Sequence, residues 1–160
     1  MTNWELIGGH ALATVDAKGR VALPLDFRTA IQANAGQRSV FIARHDSDPC
    51  LTGYDKSWQN EFHDRLDARE EALTAAGEPI DYNVKRRFMG GGLAVTFDEA
   101  GRFILPDYHR DRANIGGLAF FYGWGRTFDI WDPQTLIGTA HADAVMRDIC
   151  EYEMSRKGRK

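Results

Sequence analysis

Two pairs of oppositely charged residues, with the same spacing in each pair, are the candidates for catalysis or ligand binding in this chain. Asp16 is followed four positions later by Arg20, and Asp98 is followed at the same spacing by Arg102. Two equivalent carboxylates in a duplicated unit could share a proton, as the dyad of an aspartic protease does. The arginines could instead contact phosphate groups or the edges of bases, which are common partners of a guanidinium group. These two chemistries predict different classes of protein.

The residues around the carboxylates argue against the enzyme. An aspartic-protease site needs small hydroxyl-bearing neighbours and a glycine, whereas Asp16 is followed by Ala-Lys and Asp98 by Glu-Ala. A neighbouring arginine also lowers the pKa of a carboxyl group, which opposes the sharing of a proton. No Ser-His-Asp or Cys-His arrangement follows from the spacing, and the histidines show no metal-ligand spacing. We therefore predict a protein that is not an enzyme and that holds neither a metal nor a cofactor.

The charged pairs belong to an internal repeat. Residues 7–24 match residues 89–106 at a constant offset of 82 positions, without a gap, and Arg28 matches Arg110 at the same offset. Such self-similarity indicates one structural unit that is present twice. Eight of the 18 paired positions are identical: Gly8/Gly90, Gly9/Gly91, Thr14/Thr96, Asp16/Asp98, Gly19/Gly101, Arg20/Arg102, Leu23/Leu105 and Pro24/Pro106.

Each copy predicts a strand, a tight turn and a second strand. Gly19 and Gly101 are expected at positive φ, which such a turn requires and glycine tolerates. Asp16 and Asp98 are placed to accept hydrogen bonds from backbone N–H groups of the turn. The turn by itself needs no arginine after the glycine. Either an arginine–aspartate pair holds the turn, or the arginine makes an outward contact with a phosphate or a base.

The flanking segments repeat as well, with shorter loops in the second copy. Pro24 and Pro106 are expected in the first turn of a helix. An amphipathic helix is expected to close each copy, with an apolar stripe from Trp58 to Leu73 in the first and from Leu136 to Tyr152 in the second. The predicted strands are 12–15, 20–23, 39–44, 93–97, 102–105 and 118–123, and segments 50–58 and 128–136 each predict a short strand that leads to a helix start at an aspartate.

The repeat divides the chain into two units, residues 1–78 and 79–154. Pro79 is expected to open a helix between the copies, on which the cations Lys85, Arg86 and Arg87 are expected to face solvent. Residues 155–160, SRKGRK, are expected to be a flexible basic tail that could add nonspecific attraction to phosphate.

Charge and composition limit the possible partners. The 160-residue chain has a net charge of −3; its first 80 residues hold 8 cations and 12 carboxylates, and its last 80 hold 12 and 11. A nucleic-acid contact must therefore use a few focused cations. Cys50 and Cys150 are expected to be free thiols of a reducing cytoplasm. No apolar run reaches the roughly 20 residues of a membrane span, and MTNWELIGGH has no features of a signal peptide.

The repeated segments resemble a known family. DAKGRVALP, followed by FR and repeated as DEAGRFILP, resembles the SpoVT/AbrB swapped-hairpin fold of bacterial transcription factors. The tandem arrangement, with VKRRFMGGG before the second copy and RTFDIWD near its end, is similar to the MraZ family over roughly residues 6–150. The resemblance implies an α+β fold, in which two tandem SpoVT/AbrB-like units form a pseudo-dimeric double-split β-barrel with flanking helices.

The resemblance also implies a function. It implies a transcriptional regulator of the division and cell-wall gene cluster, cytoplasmic and nucleoid-associated, that binds double-stranded DNA at promoter repeats as a homo-oligomeric ring. The motif copy at 98–102 departs from the family pattern, because Glu99 and Ala100 stand where a basic residue is frequent. The first copy keeps Lys18 and is expected to bind DNA more strongly. The DNA contacts that the resemblance implies are Lys18, Arg20, Arg28, Arg102 and Arg110, with Asp16, Gly19, Asp98 and Gly101 structuring the turns.

A second function class stays open at this point. The chain could be a ring-forming interaction protein without a role at promoters, in which Arg20 pairs within or between subunits. The acidic net charge of −3 mildly favours that alternative. Salt-sensitive binding to the DNA upstream of the chain's own gene cluster would distinguish the two.

Overall fold

The computed structural model describes residues 3–157, which fold into eight strands and six helices. All eight predicted strands form, with ends that differ from the expected ones by no more than two residues where both ends were predicted. The strands are β1 (His10–Thr14), β2 (Arg20–Ala22), β3 (Ser39–Arg44), β4 (Leu51–Tyr54), β5 (Leu93–Thr96), β6 (Arg102–Ile104), β7 (Leu118–Gly123) and β8 (Phe128–Trp131). The helices are α1 (Leu25–Ala35), α2 (Lys56–Ala75), α3 (Asn83–Gly91), α4 (Asp107–Arg112), α5 (Pro133–Ile137) and α6 (Ala144–Lys157).

Six strands form one antiparallel sheet in which the two copies exchange strands. Its order is β1-β7-β8-β4-β3-β5. The first strand of each copy therefore pairs with the third strand of the other copy, and β4 and β8 meet at the centre. If each strand is replaced by its equivalent in the other copy, the order is the same read from the opposite end. The sheet therefore has a pseudo-two-fold arrangement.

The remaining two strands form a separate ribbon. β2 pairs antiparallel with β6, so that each copy contributes one strand. The pairing continues into the turns, because Leu23 N–H donates to Gly101 O at 2.8 Å and Leu105 N–H donates to Gly19 O at 2.9 Å. Each strand of the ribbon is thus tied to the turn of the other copy.

Both copies share one hydrophobic core. Side chains alternate between the two faces of the ribbon, so Val21 of β2 and Phe103 of β6 point inward, where each is about 2% exposed. Leu23 and Leu105 follow and are fully buried, which explains why the Leu-Pro step is repeated. Because the core joins residues from both copies, the two repeats form one packing unit. Other large side chains of this core are Ile7, Phe27, Ile31, Ile42, Leu51, Phe97, Ile115, Phe121, Phe128 and Ile130.

The α+β class predicted from the sequence is confirmed, whereas no closed barrel is found among the described residues. The six-stranded sheet is open, with β1 and β5 at its edges, and the ribbon stands apart from it. The two predicted helix starts at an aspartate are confirmed: Asp55 Oδ1 accepts the N–H of Trp58 at 2.8 Å, and Asp132 Oδ2 accepts the N–H of Thr135 at 3.0 Å.

Several helix predictions need correction. Pro24 and Pro106 occupy the N-cap position with extended ψ angles of 146° and 136°, so they precede the first helical turn. The helix between the copies begins at Asn83 and not at Pro79. Pro79 lies in the coil of residues 78–81, between α2 and α3. The second closing helix is interrupted: α5 ends at Ile137 and α6 begins at Ala144.

Two further predictions concern charged segments. Lys85, which was expected to face solvent, is half-buried. Its Nζ donates hydrogen bonds to Asp67 and, at 2.8 Å, to Glu70, and these bonds tie α3 to α2. Residues 155–157, expected in the flexible tail, are the last residues of α6, while 158–160 lie outside the described residues. Within residues 3–157, no helix has the length and apolar character to cross a membrane.

Candidate nucleic-acid interface

The turn of the first copy is held by its aspartate. Asp16 Oδ1 accepts the backbone N–H groups of Lys18 at 3.0 Å and of Arg20 at 2.8 Å. The Gly19 N–H donates to Asp16 O at 2.9 Å, and Gly19 has a φ of 84°. A side chain at this φ would be strained, so the chain needs glycine here. The hydrogen bonds from Arg20, first from its backbone and then from its side chain, hold the pKa of Asp16 below its usual value.

The turn of the second copy repeats this geometry. Asp98 Oδ1 accepts the N–H groups of Ala100 and Arg102, both at 2.9 Å, and Gly101 has a φ of 83°. The pKa of Asp98 is likewise lowered, chiefly by the backbone hydrogen bond from Arg102. The two turns are therefore the same local structure, built from the same residue types at the same spacing.

Both motif arginines pair with their own aspartate through Nε. The distance from Arg20 Nε to Asp16 Oδ2 is 2.6 Å, and that from Arg102 Nε to Asp98 Oδ2 is 2.9 Å. The side chains of Arg20 and Arg102 nevertheless stay 55% and 68% exposed. Within residues 3–157, their Nη groups donate no hydrogen bond. The arginine–aspartate pair is thus present, and it leaves the terminal edge of each guanidinium directed to solvent.

The ribbon brings the two motif arginines onto one face. Arg20 stands opposite Ile104, and Ala22 stands opposite Arg102, in the antiparallel register. All four side chains are exposed, while Val21 and Phe103 between them point into the core. This face borders a cleft of about 570 Å³ that also includes both turn carboxylates; its lining residues are Thr14, Asp16, Arg20, Val21, Ala22, Asp98, Arg102, Phe103 and Ile104.

Arg28 and Arg110 do not lie on this face. Arg28 Nη1 donates to Leu23 O at 2.9 Å and to Ala100 O at 3.1 Å, so it braces the turn of the other copy. Arg110 Nε donates to Ile115 O at 3.0 Å, and its Nη2 donates to Gly116 O at 3.2 Å. Both arginines are half-buried, and both are already occupied by backbone carbonyl groups.

The close approach of Arg28 gives Gly101 a second reason to be glycine. A Cβ atom at this position would lie 2.6 Å from Arg28 Nη1 and 2.7 Å from Leu23 O. Real Cβ atoms do not approach other heavy atoms so closely, so the strand end or the arginine would have to move. The second turn is therefore fitted to the guanidinium that braces it.

The two turns differ in charge. Lys18 is exposed in the first turn, while Ala100 stands at the matching position of the second. The second turn also carries Glu99, which lies 3.8 Å from Arg38 of the first copy. The first turn therefore has an excess of one cation over the second even before the glutamate is counted.

A cluster with ligand-like side chains lies away from the ribbon. His63 Nδ1 on α2 lies 3.7 Å from a carboxylate oxygen of Asp64 and 3.7 Å from one of Asp67. Asp67 is already paired with Lys85. This arrangement is a largely half-buried network of charged and polar side chains between α2 and α3, which sequence spacing alone did not single out.

Sequence reasoning missed Ala22 and Ile104 as members of the candidate interface. The two residues occupy matched positions of the repeat, at the offset of 82. The signal was present, because side chains two positions apart on a strand share a face. Arg20 and Ala22 must therefore point the same way, as must Arg102 and Ile104.

Three curated proteins similar to this chain are each named "Transcriptional regulator MraZ". The protein of Paraburkholderia xenovorans (strain LB400) is 33% identical over 140 residues, which cover 88% of this chain and 90% of that protein. The protein of Roseiflexus sp. (strain RS-1) is 34% identical over 121 residues, covering 76% and 77%. That of Rhizobium meliloti (strain 1021) is 31% identical over 139 residues, covering 87% and 89%. No family model matches the chain.

These relatives are named as transcriptional regulators, which confirms the expectation that the chain is not an enzyme. The similarity extends over both copies of the repeat, since it covers more than three quarters of the chain in each case. The chain, with its paired Asp-x-x-Gly-Arg turns, therefore belongs to the MraZ family of transcriptional regulators.

Proposed function

We propose that this chain is a sequence-specific DNA-binding protein and that the β2–β6 ribbon enters the major groove. The major groove of B-DNA, about 12 Å wide, accepts a two-stranded β-ribbon, and several DNA-binding proteins read bases with such ribbons. Here the exposed face of the ribbon carries Arg20 and Arg102. In this arrangement both strands that contact DNA come from one chain, one from each copy of the repeat.

The hydrogen bond from Arg20 Nε to Asp16 is the observation that carries this proposal. The distance from Nε to Asp16 Oδ2 is 2.6 Å, so the guanidinium is held by the edge that faces the protein. The two Nη groups remain as a forked pair of donors. Such a fork matches O6 and N7 of guanine. Because Asp16 is itself held by the turn, the donor pair is oriented before DNA arrives, which lowers the entropic cost of binding.

We assign the direct DNA contacts to Lys18, Arg20 and Arg102. Arg28 and Arg110 are bonded to backbone carbonyl groups. We assign Arg28 the role of bracing the second turn and Arg110 that of holding the segment before β7. The first turn, with its extra cation Lys18, is then the stronger contact. A small number of contacts agrees with a chain whose net charge is −3.

We infer that the chain acts as a homo-oligomeric ring on repeated promoter elements. β5 is an edge strand with an unpaired side, and Leu93 on it is 49% exposed. The opposite edge, β1, contacts α6, where Lys157 Nζ donates to Thr14 Oγ1 at 2.9 Å. An uncovered edge strand is a site where chains associate. A ring that presents several ribbons would gain about 10²–10⁴ in avidity on repeated sites.

The strand exchange between the copies supports the swapped-hairpin pseudo-dimer that the family resemblance implies, and we assign the chain to that architecture. The DNA target implied by the family resemblance is the promoter region of the division and cell-wall gene cluster. Acting there places the protein in the cytoplasm, at the nucleoid.

The test of DNA binding is a mobility-shift titration with the DNA upstream of the chain's own gene cluster. We expect Arg20→Ala to abolish specific binding while thermal unfolding stays close to wild type. Arg69→Ala is the matched control, because it removes one cation from the exposed face of α2, outside the cleft. Unchanged binding by Arg20→Ala would overturn the assignment of this residue.

A second titration tests the ring. DNA with one copy of the binding element should bind much more weakly than DNA with several copies, and log K should fall with log salt concentration by about 0.9 per phosphate contact. Equal affinity for single and repeated elements would contradict the avidity argument. A protein that forms rings but binds no promoter DNA would instead be the interaction protein of the alternative hypothesis.

A further inference from the structure

One side chain on the DNA-facing side of the ribbon is apolar, large and exposed. Ile104 is 56% exposed, although isoleucine is among the residues most often buried. It stands directly opposite Arg20 across the ribbon. The alternation of side chains along β6 therefore directs it to the same face as the motif arginines, where it is open to solvent.

Ile104 belongs to the half of the ribbon that carries the first turn. Its Cγ2 atom lies 3.8 Å from the point that a Cβ atom at Gly19 would occupy, and it borders the cleft that also contains Arg20. A β-branched side chain on a strand has few accessible rotamers. Ile104 therefore offers a methyl surface in a fixed position beside the guanidinium of Arg20.

The other half of the ribbon lacks this surface. Ala22 occupies the position that matches Ile104 in the repeat, and it stands opposite Arg102. The same half lacks a cation equivalent to Lys18, since Ala100 is found there. The pseudo-two-fold ribbon is thus asymmetric in two ways, and both additions fall in the same half.

We propose that Ile104 contacts the C5-methyl group of a thymine adjacent to the base that Arg20 reads. This inference rests on the proposed binding of DNA by the ribbon. In the major groove the thymine methyl is the one apolar group that a base pair presents, and apolar side chains contact it. Arg20 and Ile104 together then select a guanine–thymine neighbour, whereas Ala22 beside Arg102 offers a smaller apolar surface.

The expected size of the effect follows from the area that one methyl group removes from water. Burial of a group of this size corresponds to about a fourfold change in affinity. The contact therefore adds discrimination at one base position and is not required for binding itself.

The experiment replaces each thymine of the bound DNA element, one at a time, with deoxyuridine, which lacks the C5-methyl group. Fluorescence anisotropy with the full chain measures each dissociation constant. We expect one position to weaken wild-type binding about fourfold. Ile104→Ala should bind the unmodified DNA about fourfold more weakly and should show no further loss with deoxyuridine at that position.

Ala22→Ile supplies a second measurement that does not depend on removal of Ile104. It should create sensitivity to deoxyuridine at a further position, on the side of the element that Arg102 contacts. Ile104→Val should keep part of the original sensitivity, since it keeps a β-branched methyl surface. Near-ultraviolet circular dichroism checks that each variant retains the native packing.

The outcomes separate this inference from the proposal on which it rests. If wild-type protein binds DNA in an Arg20-dependent manner but no deoxyuridine substitution weakens it, the methyl contact is wrong and the DNA-binding function stands. The same conclusion follows if Ile104→Ala keeps the full deoxyuridine effect. Absence of wild-type binding to every duplex would overturn both.

Discussion

Arg28 Nη1 donates a hydrogen bond of 3.1 Å to the carbonyl oxygen of Ala100, so the first copy of the repeat holds the turn of the second. Arg110 of the second copy approaches the first turn, because its Nη1 lies 3.4 Å from the point that a Cβ atom at Gly19 would occupy. The second turn is therefore braced by a guanidinium of the other copy, whereas Arg110 lies close to the first turn but donates its hydrogen bonds to Ile115 and Gly116 of its own copy.

Replacing Arg28 with methionine should weaken the protein and its turn without removing a DNA contact. The substitution keeps most of the aliphatic stem but leaves the carbonyl groups of Leu23 and Ala100 without their charged donor. We expect the free energy of unfolding in urea to fall by about 1.5–3 kcal/mol. DNA affinity should fall, while the slope of log K against log salt concentration stays unchanged.

The salt slope decides between this bracing role and the DNA contact that the family resemblance implies for Arg28. Loss of a phosphate contact would reduce the slope by about 0.9. A reduced slope together with unchanged stability would show that Arg28 contacts DNA. Arg69→Ala serves again as the control for the loss of one charge.

Introducing a lysine at position 100 should strengthen DNA binding. Ala100→Lys gives the second turn the cation that Lys18 provides in the first, and position 100 is exposed. We expect tighter binding at low salt and a slope of log K against log salt that is steeper by about 0.9 for each added contact. The same substitution at an exposed alanine of α2, Ala68→Lys, is the control and should change the slope little.

The centre of the sheet should not tolerate a side chain at position 53. Gly53 of β4 pairs with Phe128 of β8, and a Cβ atom at Gly53 would clash with the far edge of the Phe128 ring. We expect Gly53→Ala to lower the free energy of unfolding by about 1–3 kcal/mol through overpacking. The double variant Gly53→Ala/Phe128→Leu should recover part of the loss; strict additivity of the two losses would contradict this explanation.

The two cysteines should be unreactive in the native protein. Both thiols are buried, and burial raises the pKa of Cys150 to about 12 and that of Cys50 further still. Because the thiolate is the reactive form, an aromatic disulfide reagent at pH 8 should detect no thiol in native protein and two in urea. Rapid release of one equivalent from native protein would show that one of these sites opens locally.

The pair between α3 and α2 should stabilise the protein at neutral pH and lose this effect in alkali. Hydrogen bonds to Asp67 and then Glu70 raise the pKa of Lys85 above its usual 10.5. The contribution is therefore complete below pH 10.5 and disappears as the pH rises through the raised value. The difference in free energy of unfolding between wild type and Lys85→Met should shrink above pH 10.5.

Lys85→Arg is the control for the alkaline measurement. An arginine keeps its charge at a higher pH than a lysine does. This variant should therefore keep its advantage over Lys85→Met across the same range. A difference between wild type and Lys85→Met that is constant from pH 8 to pH 11 would show that the ion pair contributes nothing measurable.

The sequence by itself determined the local structure of the candidate site. Asp16, Gly19 and Arg20 lie within five positions, so the turn geometry depends on hydrogen bonds between near neighbours in the sequence. The same holds for the helix starts at Asp55 and Asp132, where a side chain caps its own helix. Repetition at one offset then showed that both copies carry this local structure.

Only the tertiary structure decided how the copies combine. The pairing of β1 with β7, of β3 with β5 and of β2 with β6 joins segments that lie more than 50 positions apart. Spacing does not encode such a register, because several pairings of short apolar strands bury similar areas until the whole core is assembled. The exchange turned Arg28 into a brace for the opposite turn and placed Ile104 beside Arg20. Those relationships across the repeat, which no single copy contains, distinguish the two halves of the ribbon.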